Sequence, residues 1–253
     1  MRLILFFVSL FVGLSAWAGG ESLLDQEATL PEFGTIKYRA PIVEGDSIPL
    51  VLFHGIYGGA SHRTWRNILP LLDDAGLRVY LMDLPGAGES DKPKVKYTIE
   101  TVDRFVESFL ENVVKERSIA VSESLLSASV MKVSGERPDL IHRNILLSPS
   151  GLKSLNEPPS VRQQELFDRL YNNEGASTGF YSQLLTDNSL RYYLSFGFFD
   201  DSLINETLLD DFRVLRPNID QKYISIAFVG GQIWRPFEES AKNVFKPTLV
   251  MFG

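Results

Sequence analysis

The sequence predicts an α/β protein: a mostly parallel central sheet with flanking helices, carrying a helical insertion. Three observations predict it. From residue 34 onward, short apolar runs alternate with amphipathic stripes at helical spacing. Between residues 152 and 242 the apolar runs vanish and only helical stripes remain. A strand-like run then returns at 247–252. Repeated strand–helix alternation implies parallel strands joined by crossover helices, which cover both faces of the sheet.

The elements follow in order. Pro49-Leu50-Val51-Leu52-Phe53 is a continuous apolar run ending at His54-Gly55, as expected of a strand buried on both faces. Trp65, Ile68, Leu69 and Leu72 recur at helical spacing, and Gly76 closes that helix. Arg78 to Met82 reads as the next strand, and Asp83-Leu84-Pro85-Gly86-Ala87-Gly88 as the loop leaving it. Thr98 is placed to cap a helix with Glu100 in its first turn. Ile99, Val102, Phe105, Val106, Phe109, Leu110 and Val113 form its apolar stripe. Ser118 to Val121 is a short strand, Ala128 to Val133 a helix that stops before Pro138, and Asn144 to Leu147 a further strand. Beyond residue 152, Leu166, Leu170 and Tyr171 make one helical stripe, and Tyr181, Leu184 and Leu185 another. This segment is rich in aromatics, so it is expected to form a small core of its own and to line an apolar pocket at the junction.

Composition bounds the function. Of 253 residues, 44% are hydrophobic and 23% charged, ordinary for a globular chain. The net charge of -7, with no basic stretch, argues against nucleic acid as a partner. The absence of cysteine excludes disulfides, thiolate metal sites and cysteine nucleophiles. At the N-terminus, Arg2, the apolar run Leu3–Leu14 and Ala16-Trp17-Ala18 match a cleavable secretory signal in length and order. The run is shorter than the roughly 20 apolar residues of a spanning helix. The expected organisation is therefore a signal peptide at 1–18, a first part of the core at 19–151, a helical cap at 152–242 and a return to the core at 243–253. The mature protein is expected to be secreted or periplasmic, with no stable membrane span.

The chemistry centres on Ser122-Glu123-Ser124-Leu125-Leu126, set between a strand and a helix. A serine on a tight strand-to-helix turn exposes its hydroxyl and faces the first N–H groups of the helix, where an oxyanion can be held. Small residues are usual two before and two after such a serine; Ser122 fits and Leu126 does not. The context matches at several other places. His54-Gly55 follows one strand, Asp83-Leu84-Pro85-Gly86-Ala87-Gly88-Glu89-Ser90 the next, Arg137-Pro138-Asp139 lies behind the turn, and Ile145-Leu146-Leu147-Ser148-Pro149-Ser150-Gly151 and Lys246 to Gly253 follow. With these motifs the chain resembles the α/β-hydrolase superfamily from about residue 34 onward. The resemblance implies an α/β-hydrolase fold with Ser124 as nucleophile and the backbone N–H groups of Leu125 and Ile56 as oxyanion hole. Tyr57 is a second candidate donor, since Gly58 and Gly59 leave the path of the loop open.

A serine needs a base. The resemblance implies the order serine, acid, histidine, and the only histidine after Ser124 is His142. It precedes a strand, on the side of the sheet opposite the turn; His54 reads as a structural residue of the oxyanion loop, and His62 falls near a helix start. The catalytic acid and histidine are accordingly expected beyond Gly253 or absent, with activity of the chain as given impaired. Gly86-Ala87-Gly88 is not a dinucleotide fingerprint, because the third glycine would fall at Asp91. Scattered histidines without His-Glu-x-x-His argue against a metal, so no cofactor or metal is expected. Asn205-Glu206-Thr207 fits a glycosylation acceptor. The expected function is hydrolysis of a small apolar carboxylic ester or related acyl bond. Carbon–carbon or amide bond hydrolysis, and a non-catalytic secreted binding protein, remain as alternatives.

Overall fold

A computed structural model describes residues 22–152 and 155–252. The expected leader at 1–18 lies outside the described residues. The strands are β1 (Gln26–Leu30), β2 (Gly34–Arg39), β3 (Leu50–Phe53), β4 (Val79–Met82), β5 (Ser118–Glu123), β6 (Ile141–Leu147) and β7 (Thr248–Met251). They form one seven-stranded sheet in the order β1-β2-β4-β3-β5-β6-β7. β1 and β2 are antiparallel to their neighbours, and β4, β3, β5, β6 and β7 run parallel. The parallel part matches the sequence expectation. The β1–β2 hairpin does not follow from it, because β1 reads Gln-Glu-Ala-Thr-Leu and buries only Leu30.

The helices of the core are α1 (Leu69–Asp74), α2 (Ile99–Phe109) and α3 (Leu126–Glu136). The predicted helix from Trp65 to Leu72 is split into a 3-10 turn, His62–Trp65, and α1. Pro70 stands in the first turn of α1, where its missing N–H is tolerated but a continuous helix through it is not. α2 is capped by Thr98 as expected, its Oγ1 accepting from Thr101 N–H at 3.4 Å. α3 starts two residues earlier than its apolar stripe suggests and ends before Pro138. β6 likewise begins at Ile141, so His142 lies inside the strand rather than ahead of it.

Helices cover both faces of the sheet. On one face Phe105, Phe109, Val130 and Val133 pack with Val51, Phe53 and Ala120. The rings of Phe53 and Phe109 meet edge to face with centroids 6.4 Å apart. On the other face Trp65, Leu69 and Leu72 pack against Leu52, Leu81 and Val121. Burial of such side chains contributes roughly 1.5–3 kcal/mol each and is the main term holding the layers together.

Between β6 and β7 the chain forms α4 (Val161–Tyr171), α5 (Glu174–Leu184), α6 (Asp187–Leu194), α7 (Glu206–Arg213), α8 (Lys222–Val229) and α9 (Phe237–Ala241). Tyr181, Leu185, Leu190, Leu209 and Phe212 make a separate apolar cluster there. Phe167, Leu170, Tyr223, Ile224 and Ile226 instead join the main core. The dense aromatics are only partly interior: Tyr192, Tyr193, Phe196 and Phe199 are exposed, with Tyr192 and Phe196 packed on one another at the surface. β7 pairs with β6 in parallel as expected, but Leu249 and Val250 are exposed rather than buried. An apolar run reports what its side chains prefer, whereas burial depends on a covering element.

Candidate active site

β5 ends at Glu123 and α3 begins at Leu126, so the chain turns from strand to helix within Ser124 and Leu125. The turn is tight enough to force Ser124 to a φ of 55°, a left-handed conformation that a non-glycine residue holds at a cost of about 1–3 kcal/mol. Backbone bonds fix it: Ser124 N–H donates to the Leu147 carbonyl of β6 at 3.0 Å, and the Ser124 carbonyl accepts from Ser127 N–H at 3.2 Å and Ser150 N–H at 3.3 Å. Buried Ser122 closes the underside, its Oγ 3.2 Å from Ser127 Oγ. Leu126, the residue that departs from the small-residue pattern, is wholly buried in the main core. The turn forms with this bulk directed inward.

Leu125 precedes α3, and the first N–H groups of a helix have no intrahelical acceptor. Ile56 lies on the loop after β3. Among the described residues neither the Leu125 nor the Ile56 N–H meets an acceptor. Both residues are buried. Leu125 directly follows the half-buried Ser124, and Ile56 lies on the loop after β3, the strand paired with β5. Tyr57, the other candidate donor, turns its ring inward, where burial raises its phenol above the ordinary value.

The loop carrying Ile56 is held by His54. Its Nε2 accepts from Leu84 N–H at 3.1 Å, so its Nδ1 carries the proton and donates to Gly55 O at 2.7 Å. Burial lowers the pKa of this ring, keeping it neutral. Both nitrogens are committed, which makes His54 a structural residue, as its position after β3 suggested. His142 sits second in β6, at the end of the sheet opposite Ser124, with its Nδ1 unpartnered.

His62 has a role the sequence did not disclose. Asp83, wholly buried at the end of β4, accepts from His62 N–H at 2.6 Å, from the His62 Nδ1 at 2.8 Å and from Glu89 N–H at 2.7 Å. Burial alone would raise the carboxyl, but His62, His54 and the Glu89 N–H hold its pKa at about 2. Gly88 wraps this carboxylate at a φ of 51°, and a Cβ there would lie 2.0 Å from Asp83 Oδ2. Gly88 therefore accommodates a buried anion of the protein itself, whereas Gly86 makes room for Tyr97, whose OH would lie 2.7 Å from a Cβ there. His62 Nε2 is buried without a hydrogen-bond partner.

Ser124 Oγ itself bonds Ser150 Oγ at 3.1 Å, and among the described residues no histidine reaches it. The structure thus brings together Ser124, Leu125 and Ser150, with Ile56 on the neighbouring loop. It leaves His142 at the far end and His62 paired elsewhere. In the sequence Ser150 is only part of the Ile145–Gly151 motif; its contact with Ser124 spans 26 residues and has no linear signature. Asn205 of the possible glycosylation acceptor caps α7, its Oδ1 accepting from Leu208 N–H at 3.0 Å.

Comparison with known proteins agrees with this fold. Residues 48–223 match the family model described as the alpha/beta hydrolase fold. A 2-hydroxy-6-oxo-6-(2'-aminophenyl)hexa-2,4-dienoic acid hydrolase of Metapseudomonas resinovorans is 31% identical over 110 residues, 43% of this chain and 38% of that one. A haloalkane dehalogenase of Agrobacterium fabrum is 27% identical over 135 residues, 53% of this chain and 41% of that one. The chain thus spans about two fifths of the length of these relatives. Among solved structures, a mutant of the meta-cleavage product hydrolase CumD from Pseudomonas fluorescens superposes with a TM-score of 0.66 at 15% identity, covering 91% of this chain and 79% of that one. At this identity the superposition speaks to fold alone.

Proposed function

Because the chain belongs to the alpha/beta hydrolase fold family, whose members are hydrolases, we propose that it hydrolyses the acyl bond of a small apolar carboxylic ester with Ser124 as covalent nucleophile. The observation that carries this reading is the strained Ser124, at a φ of 55°, beside the unspent Leu125 N–H at the head of α3. Ser124 Oγ attacks the carbonyl carbon, its proton passes to a base, and the carbonyl oxygen becomes an anion held by the Leu125 and Ile56 N–H groups. Expulsion of the alkoxide leaves an acyl-serine, which water then cleaves. The described residues bring no histidine to Ser124, so slow turnover is expected of this chain alone.

One second reading has specific support. The relatives include a hydrolase named for a 2-hydroxy-6-oxo acid, whose 6-oxo group is a ketone. A serine that attacks a ketone expels a carbon group rather than an alkoxide, on the same oxyanion site. Dehalogenation, the reaction named for another relative, suits Ser124 poorly. Displacing halide from a saturated carbon would leave a serine ether, which has no carbonyl for an oxyanion hole to stabilise.

The test is Ser124→Ala, assayed with an aryl ester and with an aryl 1,5-dioxo-enol acid, beside fluorophosphonate labelling of the unmodified chain. The variant is expected to lose nearly all turnover and all labelling while melting close to the parent. Labelling on another serine, or full turnover by the variant, would sink the assignment. Preference for the ketone substrate would select the carbon–carbon reading.

A further inference from the structure

Between the nucleophile and the oxyanion loop stands a carboxyl group that the mechanism above leaves unused. Glu123 closes β5, one residue before Ser124. Its Oε2 accepts from Gly55 N–H at 3.3 Å and from Thr64 Oγ1 at 3.4 Å. Gly55 precedes Ile56, so the first of these bonds ties Glu123 to the peptide that leads into the proposed oxyanion donor. The approach is close: a Cβ on Gly55 would lie 3.4 Å from the Glu123 Cδ and 2.9 Å from Tyr57 Cε1. The groups that bond this carboxyl are the Gly55 N–H and the Thr64 hydroxyl. The titratable group facing it is the phenol of Tyr57, which stays neutral across the physiological range.

We infer that Glu123 is a positioning residue for the oxyanion loop, anchoring Gly55 and through it Ile56, and that acyl transfer runs on its neutral carboxylic acid form. The inference rests on the proposed oxyanion role of Ile56 and Leu125. Two physical points support it. Both hydrogen bonds converge on Oε2, which leaves Oε1 to carry a proton without disturbing the anchor. A charge on the same carboxyl would stand against the Gly55 peptide that leads into Ile56 and would oppose an oxyanion held by the Ile56 N–H; in a partly dry site such repulsion is weakly screened. Burial raises the Glu123 pKa above the ordinary carboxylate value, and the bonds from Gly55 and Thr64, which favour the anion, oppose this shift in part.

Two substitutions separate anchoring from charge. Glu123→Gln keeps an acceptor oxygen and places an uncharged NH2 where the acid carries its proton. Glu123→Ala removes the anchor. The readouts are kcat and KM for an aryl ester as a function of pH, and the amide resonance of Gly55 followed by NMR over the same range. In the parent chain kcat is expected to fall as pH rises through the Glu123 ionisation, and the Gly55 amide to shift with the same midpoint, above the ordinary carboxylate value. Glu123→Gln is expected to abolish both transitions and retain the acid-side kcat. Glu123→Ala is expected to lower kcat roughly tenfold or more with little change in KM, the effect of a displaced oxyanion donor. A Gly55 amide that does not titrate, or a Glu123→Gln profile that matches the parent's, would overturn the inference. Should Glu123→Ala fail to fold, the Gln variant decides. The amide titration needs no turnover, so it stands or falls apart from the Ser124 assignment, which Ser124→Ala tests.

Discussion

Asp83 illustrates how much a single side chain organises at the residue scale. Its carboxylate satisfies two groups of His62 and the Glu89 N–H, lies 3.6 Å from His54 Nε2, and dictates glycine at position 88. Asp83→Asn replaces a carboxylate oxygen by an NH2, so at least one of these buried donors loses its acceptor, at an expected cost of about 1–3 kcal/mol. The pH dependence has a definite sign. The folded pKa is about 2, below the ordinary 3.8, so the native state binds its proton less readily than the unfolded chain. The stability this group contributes is present above the ordinary carboxylate range and is lost as pH falls through about 2. Urea unfolding of the parent should therefore steepen on acidification in that window, and Asp83→Asn should flatten the slope. Equal slopes would show that His62 does not hold the carboxylate. None of this was legible in the sequence: His62 and Asp83 stand 21 residues apart and meet only because β3 and β4 are sheet neighbours.

At the scale of the element, the strand–serine–helix unit was the most legible feature and its Leu126 the least. A short apolar strand, a serine and a helix before Pro138 follow from apolar period and a breaker, and the structure places β5, Ser124 and α3 there. What a linear pattern could not supply was the direction of Leu126. The small-residue rule treats a leucine at that position as an obstruction to the turn, whereas here it is a core residue at the first turn of α3. Leu126→Ala, which restores the small residue, is accordingly expected to cost about 2–5 kcal/mol, the range for truncating a buried leucine. Thermal and urea unfolding measure it. A neutral or stabilising outcome would mean that the turn is strained by the leucine after all. The β1–β2 hairpin was missed for the converse reason: its residues are mostly polar, and register there comes from pairing with β2, not from burial. The split of the helix before β4 could have been read from Pro70.

Across the whole molecule, the helical segment and the core are joined by a buried ion pair whose charge state depends on pH. Asp211 on α7 is bonded to Arg66, which follows the 3-10 turn of the core, 145 residues away in sequence. Burial pushes the Asp211 carboxyl up to about 6, against the opposing pull of Arg66 and Arg63. The sign is opposite to that of Asp83. A folded pKa above the ordinary 3.8 means that the native state binds this proton more readily than the unfolded chain. Stability then falls as pH rises from about 4 to about 6 and levels off above, where the charged pair is complete. Asp211→Asn removes the titration and is expected to remove that slope, while leaving Arg66 short of a charged partner at neutral pH. The readout is the pH dependence of the melting temperature: the difference between parent and variant is constant below about 4, where Asp211 is neutral in both states, and changes between about 4 and about 6. Exchange of the α7 amides should report the same window if the pair joins the segment to the core. A melting profile of Asp211→Asn parallel to the parent's from pH about 4 to about 6 would mean that the carboxyl is solvated like a surface group and that the junction is held by its apolar contacts, Tyr57 against Phe212 foremost.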